Sequence, residues 1–327
     1  MKVLVTGGAG YIGSVVVREL IRAGHSVMVV DNLSRGHRQA LPAEVELCVC
    51  DVGDRAALEG VFRVQSVDAV MHFAALIEVG ESMKVPERYF TNNTANTLTL
   101  LEMMLQHGVN RFVFSSTAAL YGNPDRTPIE ETDRLQPTSV YGESKRLVEC
   151  ALEWFRKTRE LRYASLRYFN AAGAAGPDFG EDHQPESHLI PLILSVALGQ
   201  RDSIAIYGAD YATPDGTCVR DYVHVSDLAS AHLLALTALS QSDRLIYNLG
   251  NGLGFSVRQV IDVARRVTGH PIPAMESPRR TGDPAILVAS SAKIRRELDW
   301  KPRFPDMEKI IGSAWEWHRE HPQGYQA

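Results

Sequence analysis

Six short apolar runs recur through the first half of the chain: KVLVT, HSVMVVD, VELCVCD, AVMHFAA, RFVFSST and YASLRYF. Between them lie segments 11–23, 54–63, 86–107 and 141–160, whose apolar residues repeat at helical spacing. A strand that is apolar at nearly every position must be covered on both faces, and alternating strands and helices supply that cover around a parallel sheet. The pattern predicts an α/β fold with a doubly wound parallel sheet. After Asn170 the rhythm breaks into a long polar, glycine-rich loop, AAGAAGPDFGEDHQPESH. Helical patterns follow at 188–199, 226–240, 256–268 and 291–298. They predict a smaller mixed α/β domain over the carboxyl edge of the sheet. Residues 1–170 are expected to form the first domain, with part of 221–250 returning to it, and 171–327 the second; 327 residues are enough for two such units.

The first strand ends in TGGAGYIG, and a helix begins there. Gly7, Gly10 and Gly13 permit a tight turn and close backbone approach, and the unpaired N–H groups of the helix start suit a pyrophosphate. A glycine motif alone is weak evidence. This one follows a strand, opens a helix, and is followed by a second strand ending in Asp31, where a ribose hydroxyl would be accepted. Together these features predict a Rossmann-type dinucleotide site. A carboxylate at Asp31 accepts a ribose 2′-hydroxyl and repels a 2′-phosphate, which favours NAD over NADP, although Arg35 and Arg38 are near in sequence. Asp51 and Val52, ending the third strand, are candidates for the adenine edge.

Composition narrows the partners. Net charge is −5 with no long basic run, so nucleic acid is not expected. No stretch reaches the ~20 apolar residues of a membrane span, and the apolar run in MKVLVTGG is too short for a signal peptide. Cys48 and Cys50 alternate within VELCVCD and are read as pointing to opposite faces of a strand. With Cys150 and Cys218 standing alone and no C-x-x-C spacing, buried reduced thiols in a cytoplasmic protein are expected.

Residues 139–145 read SVYGESK and open the helical pattern 141–160. Tyr141 and Lys145 are four apart and share one helix face. The strand RFVFSST delivers Ser115, Ser116 and Thr117 to the carboxyl end of the sheet, where ligands of open α/β sheets bind. Tyr141 works as a base if its pKa falls from ~10 toward neutrality, a shift of about three units or ~4 kcal/mol. One cation ~6 Å away at an effective dielectric of ~20 contributes ~2.8 kcal/mol. Lysine alone falls short; lysine with an oxidised nicotinamide suffices. Thr117 is placed to share the proton and hold a substrate hydroxyl.

In this order TGGAGYIG, HFAA, the strand-end SST, YGESK and RYFN resemble the extended short-chain dehydrogenase/reductase family. SIAIYG, DGTCVRDYVHVSDLA, YNLGNG and PRRTGDPA resemble its nucleotide-sugar epimerases, and the likeness runs from Met1 to the terminal HPQGY. The resemblance implies 4-epimerisation of a UDP-hexose, UDP-galactose with UDP-glucose, through a transient 4-keto sugar with NAD retained, by a homodimer paired through the helices of 86–107 and 141–160. It places the catalytic set on Thr117, Tyr141 and Lys145. It places cofactor contacts on Gly7, Gly10, Tyr11, Ile12, Gly13, Asp31, Asn32, Asp51, Val52, Phe73, Ala74, Asn92, Ser115, Tyr141, Lys145 and Tyr168. Substrate contacts fall on Thr117, Tyr141, Asn170, His188, Leu189, Ala205, Tyr207, Arg220, Arg280 and Asp283. These residue types suit a nucleotide sugar. Guanidinium groups fork onto diphosphate oxygens, Tyr207 flanks a uracil, and Asp283 accepts a ribose hydroxyl.

Three positions depart from the pattern. Thr117 replaces a common serine, Ile77 stands where many members carry lysine near the cofactor phosphates, and His188 stands where many carry asparagine. His183, Glu186 and His188 lie in a loop without zinc spacing, and no metal is expected. Ala118 and Ala119 follow Thr117 where a sugar-nucleotide dehydratase commonly carries Asp-Glu, which weighs against that activity. A non-catalytic nucleotide sensor is opposed by the intact Thr/Tyr/Lys set. Leu287, four past Asp283, falls where the family borders the hexose C2 substituent. Its size lies between the bulky tyrosine that excludes an N-acetyl group and the small residues that admit one. UDP-glucose and UDP-galactose are expected as main substrates, with slower turnover of N-acetyl forms.

Overall fold

The computed structural model describes residues 1–280 and 283–326. The chain begins β1 (Lys2–Thr6), α1 (Tyr11–Arg22), β2 (Ser26–Asp31), β3 (Glu46–Val49), α2 (Arg55–Val64) and β4 (Ala69–His72). Two short helices, α3 (Val79–Ser82) and α4 (Pro86–Tyr89), lead into α5 (Asn96–Gln106). Then come β5 (Arg111–Thr117), α6 (Val140–Arg159), β6 (Arg162–Tyr168), β7 (Asn170–Ala172), α7 (Leu189–Ala197), β8 (Ile204–Tyr207) and β9 (Val219–His224). The rest is α8 (Val225–Ala238), β10 (Arg244–Leu249), β11 (Gly254–Ser256), α9 (Val257–Thr268), β12 (Ala274–Ser277), β13 (Ile286–Leu287), α10 (Ala292–Leu298) and α11 (Met307–Glu320).

Seven strands form one parallel sheet in the order β10-β6-β5-β4-β1-β2-β3. The period-two alternation of β1 sends Val3 and Val5 to one face and Leu4 to the other. On the first face they meet Val16 and Leu20 of α1 and Leu228 and Ala231 of α8; on the second, Leu58 of α2, Leu101 and Met104 of α5, and Leu152 of α6. Both faces are thus dry, as the apolar runs require. Strand order reverses between β1 and β4, opening a crevice at their carboxyl ends.

Residues after 170 build two smaller sheets. β9 pairs with β7, β11 and β13, and β8 pairs with β12. Their core lies among α7, α9 and α11, with Ile193, Ile261, Ile310 and Ile311 fully or almost fully buried. Helix α11 lies beyond the helical patterns named above. Its apolar positions Ile310, Ile311, Ala314 and Trp317 do follow helical spacing, and Asp306 caps it by accepting from the Glu308 N–H.

Three expectations are corrected. The helix read over 86–107 is interrupted by a π-helical turn at Phe90–Ala95. The widened turn lets the buried Asn93 side chain bond both the N–H and the carbonyl of Leu76, and the Ser144 hydroxyl. Such turns recur at functional sites. Cys48 and Cys50 do not face apart: two residues separate neighbours on the same side of a strand, and their sulfurs lie 3.7 Å from each other. Nor are the thiols uniformly buried, since Cys150 is exposed.

Candidate active site

A cleft of about 900 Å³ runs along the carboxyl ends of the strands and under the segments after residue 170. Every catalytic, cofactor and substrate candidate named above lines it, as do Ile77 and Leu287.

The glycine loop closes one end. Gly7 has φ +71°, and a Cβ there would lie 2.4 Å from the Ala74 nitrogen. A Cβ on Gly13 would lie 2.2 Å from the Gly7 carbonyl oxygen. Neither site admits a side chain, so the turn brings bare backbone to the cleft floor. Asp31 is buried, and its two carboxylate oxygens accept from the Ala9 and Leu33 N–H groups at 2.9 Å each. Burial raises its pKa, opposed by those two backbone bonds. Asn32 donates to Asp51 at 2.8 Å, and Asp51 also accepts from the Gly53 N–H at 2.7 Å, so the second and third strand ends are tied together. Arg35 donates to the Gln184 carbonyl, and Arg38 to the carbonyls of Pro42, Ala43 and Val45. Both arginines are engaged by backbone carbonyls, and Asp31 lines the cradle with a carboxylate, which fits NAD rather than its 2′-phosphorylated form. The Tyr11 hydroxyl donates to the Gly173 carbonyl at 2.5 Å, fastening α1 to the long loop.

Helix α6 starts at Ser139, whose hydroxyl accepts from the Gly142 N–H at 3.1 Å. This cap sets Tyr141 and Lys145 on the first turns. The Tyr141 N–H donates to Ser82 at 3.1 Å, a support from α3 that no spacing in the sequence reveals. Burial raises the Tyr141 pKa, and a hydrogen bond with the Thr117 hydroxyl pulls it the other way. Lys145 is 2% exposed, donates to the Ser115 carbonyl at 3.0 Å, and rests over the Phe114 ring. Burial lowers its pKa to about 7. The Ser115 hydroxyl bonds Tyr168, whose pKa burial raises, with Tyr141 adding to the rise. Thr117, Tyr141, Lys145 and Tyr168 therefore converge at the crevice. The protein alone does not make the phenol acidic; a bound cation must supply the remaining pull.

A buried ion pair backs this helix. Arg167 on β6 meets Glu149, one turn beyond Lys145, at 2.6 Å, with Ser116 and Ser165 also donating to Glu149. No motif marks either partner; they lie eighteen residues apart on different elements.

The other end of the cleft holds the substrate candidates. Arg220 on β9 is paired with Asp283 and donates to the Val219 carbonyl at 2.8 Å. The Arg280 guanidinium sits 3.9 Å over the Tyr207 ring. Ala205 and Tyr207 come from β8, Asn170 from β7, and Leu189 opens α7. Leu287 on β13 is paired in register with Arg220. His188 turns its Nδ1 into the protein, 2.6 Å from Glu181, while the rest of its ring borders the cleft.

The family model for the NAD dependent epimerase/dehydratase family matches residues 3–250. The chain is 53% identical over 327 residues to the UDP-glucose 4-epimerase of Halalkalibacterium halodurans, covering 99% of this chain and 98% of that protein. A crystal structure of a UDP-glucose 4-epimerase superposes with a TM-score of 0.97 at 50% identity, covering 100% of both chains. The UDP-glucose 4-epimerase of Bifidobacterium longum, solved in complex with NAD+ and UDP, superposes with a TM-score of 0.95 at 37% identity over 99% of this chain and 100% of that one.

Proposed function

The chain belongs to the NAD dependent epimerase/dehydratase family, and from that premise we infer a UDP-hexose 4-epimerase. It interconverts UDP-galactose and UDP-glucose through a transient 4-keto sugar with tightly bound NAD. The observation that carries the reading is one continuous cleft, with a glycine cradle and Asp31 at one end, Thr117, Tyr141 and Lys145 at the strand reversal, and two arginines at the other end.

NAD, when bound, supplies the acceptor and donor of the hydride at the sugar's C4. Tyr141 takes the proton of the 4-hydroxyl and later gives it back. Thr117, bonded to that phenol, holds the reacting hydroxyl, and Lys145 supports the phenolate as a cation. Arg220 and Arg280 anchor the diphosphate, so that the hexose can turn and present its other face. Asp283, already held by Arg220, is oriented to accept a ribose hydroxyl.

Purified protein given UDP-galactose and no cofactor should form UDP-glucose, and denaturation should release NAD(H) at about one per chain. Dependence on added NADPH, or net release of NADH, would replace epimerisation with an oxidoreductase reading.

Leu287 makes the hexose 2-substituent a second issue. It is half-buried, lies against Arg220, and borders the cleft. Leu287→Tyr is expected to slow N-acetyl substrates selectively, because overfilling a pocket costs ~1–3 kcal/mol, roughly 5- to 150-fold in rate. Equal loss on UDP-galactose and its N-acetyl form would remove Leu287 from that role.

Assembly is proposed as a homodimer through α5 and α6. Leu101 and Met104 on α5 are fully buried against the sheet and are not free to pair with a partner. Leu98, Leu147 and Trp154 remain exposed on the outer surface of these helices, Trp154 at 66%. That is the apolar face a twofold partner would cover. Light scattering should give twice the chain mass at micromolar concentration; a monomer there contradicts the assembly. Among the described residues no helix is long and apolar enough to cross a membrane.

A further inference from the structure

The loop 173–188 folds two carboxylates and two imidazoles onto one point. Among the described residues, Glu181, His183, Glu186 and His188 each offer one ligand atom, and the four atoms all lie within 4.8 Å of one another. Glu181 is 5% exposed and His183 14%, so the carboxylate of the one and the imidazole of the other are withdrawn from water. His183 Nδ1 stands 3.3 Å from Glu181 and 3.8 Å from Glu186. His188 Nδ1 stands 2.6 Å from Glu181 and 3.3 Å from Glu186.

A buried carboxylate, Glu181, with a second acid and two imidazoles packed against it, needs compensation, either by protons on the imidazoles or by a cation between them. The two solutions differ in geometry. In a histidinium–carboxylate cluster each Nδ1–H points at a carboxylate oxygen. Here both Nδ1 atoms lack a hydrogen bond of good direction, although carboxylate oxygens lie 2.6–3.8 Å from them. Ligand atoms on a tetrahedral zinc ion are about 3.3 Å apart, given bonds of ~2.0–2.1 Å, and three of the four nitrogen–oxygen separations fall at 3.3–3.8 Å. The oxygen side is also held in place: Glu186 accepts from the N–H groups of Ser187 and His188 at 2.6 and 2.7 Å.

We propose that Glu181, His183, Glu186 and His188 form a binding site for a divalent first-row metal ion, zinc by the chemistry of two imidazoles and two carboxylates. No metal is expected from the spacing of His183, Glu186 and His188; Glu181, two residues before the first histidine, adds the fourth ligand atom. Four protein ligands fill a tetrahedral site and leave no position for water or substrate, so the role is structural. The loop it would pin reaches both halves of the cleft. It holds Tyr11 through the Gly173 carbonyl and Arg35 through the Gln184 carbonyl, and it ends at His188, which precedes the first residue of α7.

The test uses the full-length protein stripped with a chelator, then exposed to zinc chloride and desalted. Elemental analysis should find one zinc per chain, with a raised melting temperature, and cobalt(II) in its place should show the strong visible absorption of a tetrahedral site. His183→Ala and Glu186→Gln should each weaken zinc binding at least about 100-fold, more than is lost on removing an outer-shell partner. Glu186→Gln keeps the side-chain shape, and the native titration depends on no variant. Native protein that holds less than a tenth of an equivalent after zinc exposure would overturn the site in favour of an ion-pair cluster. Variants that keep full zinc content would overturn the assignment of ligands.

Discussion

Turnover of the Tyr141→Phe protein is expected to fall by at least the ~100-fold typical of losing a general base, while folding and bound NAD survive. The change removes one oxygen and keeps the ring. The backbone supports remain, since the Ser82 hydroxyl receives the residue's N–H and the Ser144 hydroxyl donates to its carbonyl. What disappears is the proton acceptor bonded to Thr117. Burial alone raises the pKa of this phenol, and burial alone lowers Lys145 to about 7. Neither group is charged cheaply by itself, so the ionised state of each depends on a neighbouring opposite charge. A Lys145 cation favours the phenolate, so its loss in Lys145→Met raises the pKa of Tyr141. Activity of that variant should be lower, and its alkaline-rising limb should move to higher pH. The measurement is the pH profile of kcat/KM for both variants. Near-normal rates in Tyr141→Phe would take Tyr141 out of the mechanism, and an unmoved limb in Lys145→Met would take away the lysine's electrostatic part.

The parts of this molecule that can be read from the chain are those whose cause is local. The strand runs are apolar because helices cover both faces of the sheet, and α1 and α8 on one side with α2, α5 and α6 on the other do so. Gly7 and Gly13 are glycine because backbone crowds them from a few residues or one strand away. Tyr141 and Lys145 share a turn of α6, so their spacing carries the signal. Contacts made across the chain leave no such trace. Asp283 pairs with Arg220 from sixty-three residues away, and Ser82 reaches the Tyr141 backbone across fifty-nine. The π turn at Phe90–Ala95 exists because Asn93 must span Leu76 and Ser144, a demand made by tertiary contacts and invisible in a helical pattern. The cluster at Glu181 to His188 is short in sequence, yet its convergence depends on how the loop folds. The cysteine pair is a different case. A spacing of two does determine the strand face, and applied correctly it puts the Cys48 and Cys50 sulfurs on one side.

The other large effect concerns stability. Arg167→Met should destabilise the fold by about 3–5 kcal/mol, the usual result of removing one partner of a buried pair. Arg167 and Glu149 are 4% and 7% exposed, so water cannot replace the lost cation. Glu149 would keep its donors Ser116 and Ser165 but no positive charge. The guanidinium would also leave the Tyr121 hydroxyl and the Glu131 carbonyl, which it now bonds at 2.9 and 3.2 Å. In the native protein burial pushes Glu149 up, but Arg167 and the serine hydroxyls override it, and its pKa lies below the ordinary carboxylate value. That contribution is present above the unfolded-state pKa of ~4.3 and is lost as pH falls through the folded value. In the variant burial acts unopposed by a cation, so the carboxyl is raised. The folded variant then binds a proton that the unfolded chain releases. Its deficit relative to native should therefore be largest at neutral pH and shrink as pH falls toward ~5. Denaturant midpoints at both pH values measure this, and a deficit independent of pH would mean that packing, not the stranded charge, sets the cost. Glu149 sits one turn beyond Lys145, so an Arg167→Met protein that still folds should also lose activity as α6 shifts. Adding Glu149→Leu should restore stability more than turnover, because apolar packing replaces the pair's energy without fixing the helix where Tyr141 and Lys145 must stand.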